Sequence, residues 1–189
     1  LVYNKPVDNF DRSVQPIARN PEVARVPDYY TQTFENQLKL IGTEYSEVPK
    51  VFFQINIDGG NYLETKKNAG LAALTAELMN ESTLKTSSED MQKSLTKLGS
   101  QISFSSSGSS TTIFVSSLTR NLDATLDLLK EKLFFPAFND EDFKRVKKQS
   151  IEGLNAQKKD AGYLARKAFR KQIYGETPLG MEPTEKTIK

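Results

Sequence analysis

The sequence predicts an α+β fold in which helices cover an antiparallel sheet, and three observations carry that expectation. Short runs of alternating apolar residues are bounded by turn residues. Longer runs place apolar residues three and four apart. The two kinds of run come in groups rather than in strict one-to-one alternation. In VFFQINIDGG, Val51, Phe53, Ile55 and Ile57 share one face, and the glycine pair ends the strand. Just upstream, FENQLKLIGTE sets Leu38 and Leu40 about Lys39. The short YSEVPK turn between these runs predicts that they pair as a hairpin. A second hairpin, QISFSSSGSSTTIFVSSL, is predicted over 101–118 with its turn at Gly108.

Helices are expected after each hairpin. GLAALTAELMNEST carries Leu71, Leu74, Leu78 and Met79 at helical spacing, which predicts a core helix over 70–83. TSSEDMQKSLTKLG predicts a second over 86–99, opened by serine caps and closed by Gly99, with Met91, Leu95 and Leu98 inward. Leu122, Leu126, Leu129 and Leu133 form the stripe of a third helix that stops before Pro136, with Phe134 and Phe135 as core anchors and an exposed substrate pocket as their alternative. A fourth starts at Asn139 as cap and buries Phe143, Val146, Ser150 and Leu154. A last helical stretch, with Tyr163, Leu164, Ala168, Phe169 and Ile173, reaches Gly175. Residues 1–30 hold Pro6, Pro16, Pro21 and Pro27 among polar residues and read as an extended linker. Residues 31–189 form the domain.

Composition narrows the chemistry. The net charge of +2 gives no field that would draw the whole protein to nucleic acid or an anionic membrane. No run reaches the roughly 18 apolar residues that span a bilayer. Cys is absent, which excludes disulfides. His is absent too, so Ser-His-Asp and Cys-His catalysis are excluded within the chain, and a zinc site would have only carboxylates to draw on. The start at Leu1 and the abrupt end at Lys189 read as a piece of a longer polypeptide.

The ordered series INIDGG, NAGLAALTAELMNEST, the ISFSSS hairpin and FFPAFNDEDFKRVKKQSIEGL resembles the insulinase-like (pitrilysin) zinc metallopeptidases, a family that includes the mitochondrial processing peptidases. The resemblance covers about residues 28–189. It implies a half-domain of the processing-peptidase type that would continue past Lys189. In active members the helix corresponding to 70–83 carries His-x-x-Glu-His. Two imidazoles hold zinc, the Glu activates water, and a distant Glu completes the site. On that frame the first His position falls at Ala73, the Glu at Ala76, the second His at Glu77 and the distant ligand at Gly153. Glu152 is adjacent to Gly153 but points about 100° away around the helix.

The resemblance therefore implies a zinc-free second half. It would lack catalytic residues and cofactor of its own and would wall a peptide-holding chamber, while zinc resides in a catalytic half-domain or partner subunit of the same family. A non-proteolytic scaffold of the same fold is the alternative, and a periplasmic or cell-envelope location is expected, with cytoplasm as the other option. The expected partners are that catalytic half and a peptide, added as a strand to a sheet edge, with no nucleic acid and no membrane span. Between Asn139 and Gly175 ten basic residues face five acidic ones, which reads as a solvated helix face, with a basic chamber wall as the alternative. The SSSGSS run reads as a hairpin turn rather than a phosphate cradle, because no helix follows it.

Overall fold

A computed structural model describes residues 13, 27–45 and 47–188. The chain divides into two compact units, Leu1–Glu47 and Val48–Lys189. In the first, strands β1 (Tyr30–Thr33) and β2 (Lys39–Gly42) pair antiparallel, from Thr33 opposite Lys39 to Tyr30 opposite Gly42. The linker expected over 1–30 lies outside the described residues, apart from Ser13 and 27–30.

The second unit holds a three-stranded antiparallel sheet in the order β3-β5-β4, where β3 is Lys50–Asp58, β4 is Gln101–Ser107 and β5 is Ser110–Leu118. The 101–118 hairpin forms as expected, with Gly108 in the left-handed region at its turn. For the strands around Leu40 and Ile55, expected to pair with each other, the pairings observed within each unit are different ones. β2 pairs with β1, and β3 runs its whole length against β5. The reason is local. A tight turn, with Phe34 N–H donating to Leu38 O at 2.9 Å and Gln37 N–H to Phe34 O at 2.9 Å, folds β2 back on β1. Alternation states that a strand has two faces but not which neighbour it takes.

Six helices accompany this sheet among the described residues: α1 (Leu71–Met79), α2 (Ser88–Leu98), α3 (Leu122–Phe134), α4 (Asp140–Gln157), α5 (Ala161–Tyr174) and the single turn α6 (Glu185–Ile188). The expected caps are present. Ser87 Oγ accepts from Asp90 N–H at 3.1 Å, and Asn139 Oδ1 from Asp142 N–H at 2.8 Å. The main core joins α1 through Ala76, α2 through Met91 and Leu95, the sheet through Phe104, Ile113 and Val115, and α3 through Leu129. A smaller cluster of Leu74, Leu78 and Val146 ties α1 to α4.

Burial departs from the expected stripe on α3. The buried ridge is Thr125, Leu129 and Lys132, at positions i, i+4 and i+7, while Leu126 is exposed. Both polar ends are satisfied. Thr125 Oγ1 lies 2.7 Å from Ser100 Oγ and 2.9 Å from Ser117 Oγ. Lys132 Nζ donates to the carbonyls of Met79, Asn80 and Glu81 at the C-terminal end of α1, at 3.4, 2.7 and 3.2 Å. Phe134 and Phe135 are not core anchors: Phe134 is 69% exposed, and Phe135 lies under the Lys85 ammonium at 5.0 Å. Phe143 is exposed likewise, with Lys147 Nζ 5.5 Å from its ring centre. No residue of α5 is fully buried.

Candidate functional site

Helix α1 is fixed at both ends before it presents anything. At its start Gly70 has φ 97°, and a Cβ there would lie 3.0 Å from Pro183 Cβ, so the position needs glycine twice over. In place of an N-cap side chain, the Glu64 carboxylate accepts from Gly70 N–H and Ala72 N–H, both at 2.7 Å. A carboxylate is favoured there by the positive end of the helix dipole. At its far end, the Lys132 ammonium gathers the free carbonyls. Burial pushes that ammonium down to about 8, against the nearby Glu81 and Glu131 carboxylates, which favour the charged form. Asn80 locks the same end to the sheet: its Oδ1 accepts from Phe104 N–H at 2.8 Å and its Nδ2 donates to Phe104 O at 2.9 Å.

Helix α4 is held against α1 by charge. Arg145 bridges Glu81, just past α1, and Asp142 on its own first turn, with Nη2 at 2.5 and 2.8 Å from the two carboxylates. Burial would raise the Asp142 carboxyl. Hydrogen bonds from Ser82, Arg145 and Asn139 outweigh it and hold the group below its usual range.

Between α1 and α4 this leaves a cleft of about 370 Å³, lined by Ala73, Glu77, Ser150, Gly153, Gln149 and Gln157, with Pro183 and Ile188 at its margin. The margin is placed by the segment after α5. Arg170 donates to Leu179 O at 2.7 and 3.1 Å, and Tyr163 Oη donates to Glu182 at 2.8 Å. Burial first, and that hydrogen bond second, push the Tyr163 phenol up to about 12.

Of the four positions singled out in the sequence, the structure brings three together. Ala73, Glu77 and Gly153 face the one cleft, although Gly153 is 76 residues beyond Glu77. Ala76 does not join them. It is 3% exposed, packs in the main core, and borders a separate apolar pocket of about 420 Å³ against the sheet, with Ile57, Leu71, Met79 and Leu133. The donors facing the cleft do not suit zinc. They include a single carboxylate and no imidazole or thiolate, and no group of three or more potential metal ligands occurs among the described residues. Ser150 Oγ lies 2.9 Å from Glu77 Oε2 and 3.0 Å from Val146 O. The sequence placed Ser150 on the inward face of its helix but gave no sign of the Glu77 contact. The Asn80 and Lys132 contacts carried no sequence signal, because each joins residues remote along the chain.

The family profile described as Insulinase (Peptidase family M16) matches residues 40–185. The chain belongs to the insulinase family, peptidase family M16. A Helicobacter pylori (strain ATCC 700392 / 26695) protein described as "Non-peptidase homolog YmxG" is 28% identical over 146 residues, which cover 76% of this chain and 34% of that protein. This insulinase-family chain thus spans about a third of the curated relative's length.

Solved structures agree in fold. A crystal structure of a peptidase M16 inactive domain from Pseudomonas fluorescens superposes with a TM-score of 0.76 at 21% identity, covering 84% of this chain and 38% of that one. A protease from Helicobacter pylori gives 0.69 at 19% identity, over 87% and 42%. The periplasmic protease PqqL from Escherichia coli gives 0.69 at 16% identity, over 96% and 22%. The expected α+β half-domain of this family is the observed one. No helix among the described residues is long and apolar enough to cross a membrane.

Proposed function

We propose that this chain is the non-catalytic half of an insulinase-like zinc metalloendopeptidase, walling part of a peptide-holding chamber while zinc and hydrolysis belong to another half or subunit. One observation carries the reading. The cleft that matches the family's ligand positions is formed and open, yet Ala73, Glu77 and Gly153 bring it only one carboxylate. The fourth position, Ala76, has become core. An inactive M16 domain and a non-peptidase homologue among the similar proteins support the same reading.

The partner is a catalytic half-domain of the family, the ligand is a peptide, and this chain holds no cofactor of its own. A periplasmic location rests on the likeness to a periplasmic protease. Peptide addition to a sheet edge would contribute backbone hydrogen bonds. On β4 it has to displace Asn80, which already takes the outward N–H and C=O of Phe104.

The deciding experiment is a peptidase assay of this chain alone and mixed with a catalytic half, alongside metal analysis. Activity is expected only in the mixture, with zinc in the other component. Chelator-sensitive hydrolysis by this chain alone would overturn the proposal. The name "Non-peptidase homolog" on the curated relative favours a second reading, a non-proteolytic scaffold. Stable assembly with a partner that lacks peptidase activity in every combination would select it.

A further inference from the structure

We infer that the α1–α4 cleft is a binding site for an alkylammonium group of a peptide, with the Glu77 carboxylate as its counter-charge. The inference rests on the chamber reading and names what one part of that chamber holds. Glu77 is the one ionisable residue lining the cleft among the described residues. Its Oε2 is steered by the Ser150 hydroxyl at 2.9 Å. That hydroxyl has one proton to divide between Glu77 and Val146 O, so the carboxylate keeps acceptor capacity for a ligand.

The space beside Glu77 is open. Ala73 stops at Cβ, and a Cβ built on Gly153 would have nothing within 4 Å. Around it, Gln149 and Gln157 offer amide oxygens, and Leu74, Leu154 and Ile188 offer apolar wall. That combination suits a charged head on a methylene stem: the ammonium meets carboxylate and amide oxygens, and the stem lies on the leucines. An anion finds no basic side chain lining the cleft, and a metal ion finds one carboxylate. The volume, about 370 Å³, lies within the range of small-ligand sites.

The test is an NMR titration of the whole chain with Nα-acetyl-lysine amide, with Nα-acetyl-norleucine amide as the uncharged control, and with alanine amide to present a free main-chain amine. Saturable shifts of the Glu77, Ser150 and Gly153 amides are expected with the lysine compound, and binding roughly tenfold weaker or worse with norleucine. Shifts with alanine amide assign an N-terminal amine as a second source, and their absence assigns lysine side chains alone. Glu77→Gln is expected to weaken lysine amide roughly tenfold or more while leaving the melting temperature unchanged, because Glu77 is exposed. Gly153→Leu projects a side chain into that space and is expected to abolish binding with Glu77 intact. Equal responses to lysine and norleucine, or an unaffected Glu77→Gln variant, overturn the inference. Mixing with a catalytic half is scored separately. Ammonium binding without restored peptidase activity sinks the chamber reading alone, and restored activity without ammonium binding sinks this one alone.

Discussion

The two faces of helix α1 have had different fates. The face toward α4 carries Ala73 and Glu77, opens onto a polar cleft, and faces Gly153 across it. The face toward the sheet carries Ala76 and Met79 and is bound into the main core beside Phe104 and Ile113. In the active members that this helix resembles, one side of the helix does the chemistry. On the frame that the resemblance implies, the positions matching zinc ligands (Ala73, Glu77 and Gly153) face one cleft, whereas Ala76, matching the water-activating Glu, packs in the core. One face of the helix is thus an open cleft wall and the other a part of the core.

This contrast can be tested, and the largest expected effect comes from rebuilding the open face. A triple variant, Ala73→His, Glu77→His and Gly153→Glu, places two imidazoles one helical turn apart and a carboxylate across the cleft, the usual three-ligand set for zinc. Binding of one zinc per chain, micromolar or tighter by calorimetry, is expected from this variant and none from the parent. Peptidase activity is not expected to return, because Ala76 is turned away. Absence of zinc binding would show that the three positions share a cleft without sharing a coordination sphere.

The next effect compares the same substitution on the two faces. Ala76→Glu forces a carboxylate into the core and is expected to cost about 3 kcal/mol in unfolding stability. Ala73→Glu, which points into the open cleft, is expected to change it by less than about 0.5 kcal/mol. Equal losses in urea melts would erase the distinction between the faces. Third, Asn80→Ala leaves the N–H and C=O of Phe104 without partners at a residue only 5% exposed. A loss of about 2 kcal/mol and faster hydrogen exchange at the Phe104 amide are expected. An unchanged exchange rate would mean that Asn80 does not guard that edge.

The smallest effect concerns the ammonium that gathers the α1 carbonyls. With Lys132 lowered to about 8 in the folded chain and near 10.5 in the unfolded one, the unfolded chain holds more protons between those values. Stability contributed by this group therefore rises with pH across that window and is lost as pH falls through 8. Between pH 7.5 and 9 the gain relative to Lys132→Met is expected to be about 1 kcal/mol. Parallel pH profiles for the two proteins would show that Lys132 titrates normally.

Much of the fold was legible in the sequence because it is written in short-range terms. Ser87, Asn139 and Gly99 mark helix ends by hydrogen bonds and backbone angles that involve only a few neighbouring residues. The 101–118 hairpin closes on itself around Gly108. Composition limits the chemistry in the same direct way: a chain without His or Cys has no imidazole or thiolate to offer a zinc ion, whatever its shape.

Partnership between distant residues was decided only by the tertiary structure. Alternation in β2 and β3 could not say that one pairs with β1 and the other with β5. The leucine stripe of α3 did not show that the buried line would run through Thr125 and Lys132, because only hydroxyls from the sheet end and carbonyls from α1 make those polar groups tolerable inside. Helical spacing alone put Ala73, Ala76 and Glu77 within one turn. Burial separates Ala76 from the other two, because the sheet and α3 pack against one side of α1 while α4 leaves the other side open.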